Sequence, residues 1–478
     1  MSRQLLLLLV STLCLAAVAC GPSGRNGNVC FGGDCSAGSC TAGDSRGCYP
    51  GEMATINVGP CVAGSQSCTS AGQWGDCVGS VTPVAENCGD HLDNNCNGAV
   101  DENTDADGDG FTTCEGDCCD SVECSNPADV NPGAFDVAGD NVDNDCDGSI
   151  DNTATVCDQA LPPGSTDGLD YAKAIDLCQM AAMTDKKWGV ISAVFTRADG
   201  TLLPNPGSHA ILPHYGTAVL PKVGSSLMLL STGFAAAVGD PGFDPGISSD
   251  MGTDSPFPAD FVAAHAGSLP NAPGCPEPLG STANDPIMLT LTIRVPTNAK
   301  SFSINSNFFS DEFPEYTCTA YNDFFVMLLD STYAGTPANP TDKNLAVFTK
   351  PGTMMSYPVG VNLAAGNTGL FTQCVNGSLG CAGLGSTTQT ISTCIGTTDL
   401  AGTGLDTPAP DQCDPNSLMG GGTGWLTTTG NVRPGEIIKL RIAIWDTSDP
   451  VLDSLAVIDG FKWSAQGADP GTVILKTD

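Results

Sequence analysis

Sixteen cysteines fall between Cys30 and Cys178, a stretch of 149 residues, and this density constrains the chain more than any other feature. At about 11% it passes the level that signals a disulfide scaffold. A reducing cytosol would leave such thiols unpaired, so the chain is expected to be exported. Six more cysteines lie between Cys275 and Cys413. Both counts are even, so each part can close its own bridges, although spacing does not give the pairing. Zinc is the competing use. The pairs Cys35/Cys40 and Cys114/Cys118 are loosely spaced and lack matching C-x-x-C or His partners, which leaves disulfides as the better account.

The N terminus points the same way. Arg3 precedes an apolar run of 15 residues over 5–19, too short to span a bilayer but suited to a signal peptide. Ala17-Val18-Ala19 fits an A-x-A cleavage site, and Cys20 after it resembles a bacterial lipoprotein lipobox, with Ala17 where Leu is usual. Of 24 cysteines, cleavage removes Cys14 and lipidation would occupy Cys20, which leaves an even 22 to pair. Gly21 after the lipidated position implies, by resemblance to the lipoprotein sorting pattern, the outer membrane and cell surface. Secretion is the outcome if Cys20 carries no lipid. No later stretch reaches the roughly 18 apolar residues of a transmembrane helix.

Net charge is −36. Such a field repels phosphate backbones and anionic headgroups, which excludes nucleic-acid binding and electrostatic membrane binding. Residues 86–152 hold 19 carboxylates and no Lys or Arg. Such runs are usually solvated, but this one repeats itself. Asp90, Asp93, Asn94, Cys96, Gly98 and Asp101 recur, offset by 50, as Asp140, Asp143, Asn144, Cys146, Gly148 and Asp151. Asp105-Ala-Asp107-Gly-Asp109-Gly110 adds a D-x-D-x-D-G run, whose alternate carboxylates converge on one ion because Gly at the sixth position permits the turn. Gly116 stands where an EF-hand places its closing Glu, so Asp117 and Asp120 are the candidates to close the site. The candidate metal ligands are Asp105, Asp107, Asp109, Asp117 and Asp120, with Asp90, Asp93, Asp101, Asp140, Asp143, Asp147 and Asp151 from the repeats. Asp and Asn also cap turns, and Asn94, Asn144 and about half of the acids are expected to do only that.

Cys88, the two D-N-x-C-x-G repeats, the D-x-D-G-D-G-F run and Asn131-Pro132-Gly133-Ala134 together resemble the MopE-type metal-binding motif of bacterial surface proteins. The stretch from Cys48 through Cys61, Cys68 and Cys77 to Cys88 is similar to the cysteine-rich lead-in of such motifs in myxobacterial proteins. The resemblance implies calcium binding, and copper in some members. Copper prefers His, Met or thiolate, and the window offers only His91, so calcium is the expected cofactor and copper is not.

Beyond the acidic region, short apolar runs alternate with Gly/Pro/Asn/Ser clusters. Runs over 189–195, 287–295, 324–329 and 437–445 predict strands. One helix is expected around 170–183, burying Tyr171, Ala174, Ile175, Leu177, Cys178 and Ala182. The fold class is therefore mainly β: a C-terminal β-sandwich or jelly-roll-like domain after a disulfide-rich, loop-dominated, acidic calcium-binding region. Asn307 to Tyr316 with Tyr321 to Phe325, Leu230 to Gly233, and Pro434 onward through Trp445-Asp446-Thr-Ser-Asp449, Asp453-Ser454 and Ile458 to Phe461 resemble the choice-of-anchor L domain. That resemblance implies a β-rich extracellular module on bacterial surfaces, with no established enzymatic activity.

The second half holds His209, His214 and His265, none in H-E-x-x-H, and no G-x-S-x-G elbow, so no catalysis is expected. Glu312 and Glu315 are close enough in sequence to suggest a glycosidase pair, but acids after a strand are more often turns, caps or ligands. Glu312, Asp446, Asp449 and Asp453 form a second candidate cation site. The expected organisation is a signal peptide (1–19), lipidated Cys20 and tether (20–29), a Cys-rich segment (30–85), an acidic metal-binding repeat (86–152), a linker with a short helix (153–185), a choice-of-anchor-L-like domain (186–466) and a tail (467–478). The expected function is a non-catalytic cell-surface lipoprotein. Its partners would be metal ions, the membrane through its lipid, and an extracellular protein or glycan. The alternative is a secreted hydrolase or lectin-like protein using the acids around Glu312 and Asp446.

Overall fold

The computed structural model describes residues 29–31, 39–84, 86–101, 105–121, 124–152, 156–243, 249–387, 390–408 and 416–475. The expected signal peptide, the lipidation site at Cys20, and Cys35 lie outside the described residues. The chain divides into two compact units, Met1–Thr104 and Asp105–Asp478.

In the first unit β1 (Val29–Phe31) pairs parallel, and β3 (Gly64–Ser67) antiparallel, with a central β2 (Ser45–Tyr49). Its apolar core is small: Tyr49, Cys61 and Cys96, with Ile56, Val58 and Ala63 against them. The Tyr49 hydroxyl satisfies itself on Thr55 Oγ1 at 2.8 Å. A core of this size cannot offset the chain entropy alone, and the bridges Cys40–Cys68, Cys48–Cys77 and Cys61–Cys96 restrict the unfolded chain instead. Every described cysteine of the protein is disulfide-bonded, which removes the zinc reading.

The second unit is built on a β-sandwich. Its strands are β4 (Gly189–Thr196), β5 (His209–Leu212), β6 (Leu227–Ser231), β7 (Asp254–Pro256), β8 (Thr282–Arg294), β9 (Ser301–Ser310), β10 (Phe324–Asp330), β11 (Val347–Thr349), β12 (Ser356–Pro358), β13 (Gly421–Asn431), β14 (Ile437–Thr447), β15 (Ser454–Ser464) and β16 (Gly471–Ile474). One sheet runs β10-β14-β8-β4 with β7 also on β8; the other runs β16-β13-β9-β15-β6-β5, and all neighbours in both are antiparallel. The four expected strand runs fall on β4, β8, β10 and β14. The run in β10 does not alternate because both of its faces are covered. Phe325, Met327 and Leu329 point between the sheets, while Phe324, Val326 and Leu328 pack under Phe257, Phe261 and Trp445. The second sheet does the same: Met228 and Leu230 of β6 face inward, and Leu227 and Leu229 face an outer cluster with Phe309 and Val457.

Two expectations need correcting. The helix is α1 (Gly168–Ala174), capped by Asp167, whose carboxylate accepts from Leu169 N at 3.0 Å, and it stops well short of 183. Asp176 adopts a φ of 72°, Cys178 is tied to Cys157, and Met180 bridges to Val190 of β4, so the chain turns out of the helix. Tyr171, Ala174, Ile175 and Leu177 are buried as expected, but Ala182 is exposed. The expected tail contains β16, whose Thr472 hydroxyl meets Thr428 of β13 at 2.8 Å.

His209 is buried beneath α1, stacked on Phe195 at 4.3 Å with its Nδ1 2.6 Å from the Tyr171 hydroxyl. Burial holds its pKa down at about 4. An unfolded His binds a proton below its ordinary value of 6.5 and the folded one does not, so stability is lost as pH falls from 6.5 towards 4. The loss is about 3 kcal/mol. Denaturant titrations at pH 7 and pH 4 will show a pH difference smaller by about that amount in His209→Gln. Equal pH slopes in the two proteins would sink this assignment.

The topology brings one set of acids together. The connections β9 to β10 and β14 to β15 each cross between sheets, and both do so at one end of the sandwich. There Ser310 pairs with Ser454, and Phe324 with Trp445.

Candidate metal centre

Three loops of the acidic region share one conformation: 93–98 in the first unit, and 105–110 and 143–148 in the second. In each, the first Asp accepts two backbone N–H groups with its two oxygens. Asp93 takes Asn97 N and Gly98 N, both at 3.0 Å; Asp105 takes Gly108 N at 2.6 Å and Gly110 N at 2.9 Å; Asp143 takes Asp147 N at 3.1 Å and Gly148 N at 3.0 Å. The fourth position has φ 58°, 84° and 55° (Cys96, Gly108, Cys146), and the sixth has 99°, 96° and 92° (Gly98, Gly110, Gly148). That sixth glycine is required, because a side chain is strained at such φ.

The loops differ in charge. In 105–110 and 143–148 the third and fifth positions are Asp, whereas 93–98 has Asn95 and Asn97. Carboxylate oxygens of Asp105, Asp107 and Asp120, of Asp107, Asp109 and Asp117, and of Asp143, Asp145 and Asp147 come within 4.8 Å of one another. Asp145 escaped the sequence analysis although the D-x-D-x-D-G spacing is present at 143–148. Matching the repeats on D-N-x-C-x-G hides it behind Asn144 and Cys146.

Asp107 Oδ2 and Asp117 Oδ2 are buried and accept no hydrogen bond. Desolvation, helped by Asp107 and Asp117, pushes Asp109 up to about 6, and desolvation with Asp147, Asp136 and Asp143 does the same for Asp145. Asp107 and Asp117 are raised for the same first cause. Buried, mutually repelling carboxylates with orphaned oxygens fit a hard cation. Asp120 helps to close the larger site by holding Ala106 N at 2.6 Å.

The remaining candidates build turns. Asp151 accepts from Gly139, Asp140 and Asn141 N, and Asp101 from Gly89 and His91 N. Asp90 and Asp140 each receive the N–H two residues on, at 2.9 Å. The segment 131–135, which pairs with Asn144, is hydrogen-bonded to the connection between β8 and β9, and loop 105–110 to the turn before β4. Asn298 donates to Phe135 O at 2.8 Å and accepts from Phe135 N at 3.0 Å, Thr297 reaches Asn131, and Lys186 joins Gly110 O and Glu115.

The second candidate set is only partly brought together. Glu312, Asp446 and Asp453 lie at the crossover end of the sandwich, joined by Asp311 and Asp323. Asp449 lies within electrostatic reach of Glu312 but spends one oxygen on a turn, accepting from Val451 N at 3.1 Å. Glu312, Glu315 and Asp446 are 2%, 3% and 1% exposed, with Glu315 held by Ser417. These three acids present almost no surface to solvent, and the arrangement does not favour the hydrolase or lectin alternative.

Residues 277–461 match the family model of the Choice-of-anchor L domain, and residues 81–102 and 125–152 match that of the "Putative metal-binding motif" of the MopE type. Loops 93–98 and 143–148 fall inside the matched segments and loop 105–110 between them. No curated protein and no solved structure matches. Among the described residues no helix is long and apolar enough to cross a membrane. The two matches and the acidic clusters together point to a surface-associated, metal-binding protein.

Proposed function

We propose that the chain is a calcium-binding, non-catalytic lipoprotein of the bacterial outer membrane whose β-sandwich binds an extracellular protein or glycan. The carrying observation is the convergence of Asp107, Asp109 and Asp117 with two buried oxygens that accept no hydrogen bond. Asp105, Asp107, Asp109, Asp117 and Asp120 would hold one ion, and Asp143, Asp145 and Asp147 another; the ion neutralises the carboxylates and fixes the loops. The donors favour calcium over copper, being all oxygen, and the described thiols are tied up in disulfides. His91 pairs with Asp101 at 3.0 Å. Lipid anchoring is supported by Ala17-Val18-Ala19-Cys20 and the even cysteine count.

The test is calorimetric titration of calcium into the oxidised, metal-stripped full chain in physiological salt. Saturable binding at about 10⁻⁴–10⁻³ M or tighter is expected, with a rise in melting temperature that chelator reverses. Absence of both would make the acidic loops solvated spacers, and copper that calcium cannot displace would reassign the sites. For the anchor, Cys20→Ser is expected to move the chain from the membrane to the soluble fraction.

A further inference from the structure

Five carboxylates gather where β9, β10, β14 and β15 change sheets. Asp323 precedes β10 and Asp446 follows Trp445 in β14, so the two flank the Phe324–Trp445 pair that opens the β10–β14 ladder. Its Oδ2 accepts from Ser454 Oγ at 2.6 Å, and its Oδ1 from Thr447 N at 3.4 Å. From the other sheet come Asp311 and Glu312 at the end of β9, and Asp453 at the start of β15; Asp311 N donates to Asp453 O at 3.0 Å. Asp446 is 1% exposed and lies within electrostatic reach of Asp323, Asp453 and Glu312, and both of its carboxylate oxygens are buried, with the Thr232 hydroxyl and the Asp323 carboxyl as polar neighbours. Glu312 Oε2 and Asp311 Oδ1 are buried without a hydrogen bond. None of Asp311, Glu312, Asp323 and Asp446 has an ion-pair partner among the described residues. A cavity of about 60 Å³, lined in part by Asp311, Asp453, Ser231 and Tyr215, adjoins the set on the Asp311 and Asp453 side and has room for a few waters.

Buried charges are stable only when paired, hydrogen-bonded or bound to a metal. We propose that the crossover end of the sandwich is a divalent-cation site, held by Asp311, Asp323, Asp446 and Asp453 with Glu312 beside them, and separate from the acidic loops. A hard cation with oxygen ligands, calcium above all, fits the donors. It would tie the two sheets together at their shared crossover. Burial raises Asp311, Glu312 and Asp446 well above the ordinary carboxylate range and Asp323 to about 7, so protons are the competing occupants. No three of these residues bring oxygens within 4.8 Å, as the loops do, and the expected affinity is at the weak end, about 10⁻³ M.

The experiment uses the full chain with its loops silenced by Asp107→Asn, Asp109→Asn, Asp145→Asn and Asp147→Asn. Calcium titrated to about 10 mM, ten times the expected Kd, is expected to show one remaining saturable site and a higher melting temperature. Adding Asp446→Asn, or Glu312→Gln should that variant not fold, is expected to weaken this site about 100-fold, following the lost ligand charge. The idea is overturned if the loop-silenced chain binds no calcium, or if Asp446→Asn raises the melting temperature equally with and without calcium, as a proton-sharing cluster would. Failure of the loop sites is recognised separately, by loop silencing that leaves the wild-type isotherm unchanged.

Discussion

Asp107→Asn with Asp109→Asn will invert the calcium dependence of stability. Without calcium the doubly substituted chain will be the more stable protein at pH 7; with saturating calcium it will be the less stable. The first half follows from the raised pKa of Asp109, about 6 against an ordinary 3.8. A raised carboxylate keeps its proton in the folded state up to about pH 6, so stability falls as pH rises from about 4 through 6 and stays low at pH 7. Removing two mutually repelling charges at this partly exposed loop returns on the order of 1 kcal/mol, after allowing for solvent screening. The second half is mass action. An ion at 100 times its Kd stabilises the folded chain by about 2.7 kcal/mol, and most of that disappears if the Kd rises about 100-fold. Melting curves of both proteins in chelator and in calcium would show the crossing. Curves that keep the same order in both buffers would contradict it. Because loop 105–110 belongs to the second unit and is hydrogen-bonded through Gly110 O to Lys186 in the turn before β4, the effect will register in the melting of that unit.

The largest loss without any ion will come from Trp445→Ala. Trp445 is fully buried and meets Phe324 at 5.9 Å, Phe257 at 5.9 Å and Phe261 at 6.2 Å between ring centroids. These residues make the outer layer that α2 (Ala259–Ala264) lays over the β10-β14-β8 sheet. Truncating an indole there opens a cavity that a sheet cannot collapse to fill, and costs about 3–5 kcal/mol. Trp445→Phe keeps most of the ring and will cost markedly less. Ile395, 81% exposed, provides the control: its change to alanine should stay within about 0.5 kcal/mol. Denaturant midpoints measure all three. A Trp445→Ala loss under about 1 kcal/mol would mean that α2 is not a structural layer.

Strand positions were legible because apolar runs such as 437–445 have no helical periodicity and are bounded by turn residues. The helix was over-extended because Ile175, Leu177 and Cys178 continue an apolar face. The turn at Asp176 and the bridge to Cys157 are tertiary facts that no local pattern announces. Loop 105–110 could be found from its spacing, and loop 143–148 carried the same spacing behind a stronger repeat. Asp93, Asp101 and Asp151 show the limit of composition. Each is spent largely on backbone N–H groups, and an Asp that builds a turn reads like one that binds an ion. At the sandwich end, Asp311 and Asp323 were missed as partners of Asp446 because only the two sheet crossings bring them together.

The family match begins at residue 277, yet β4, β5, β6 and β7 lie upstream of it and are hydrogen-bonded into the same two sheets. A fragment cut to the matched segment would keep β8 and β15 and remove β4, β7 and β6 from their flanks. The long inner strands β8 and β15 would then become edges, whose bare rows of N–H and C=O groups are templates for pairing with another chain. Such a fragment would polymerise edge to edge instead of folding alone. The heritable unit of this domain, the piece that recombination or an expression vector can move intact, therefore starts before Gly189.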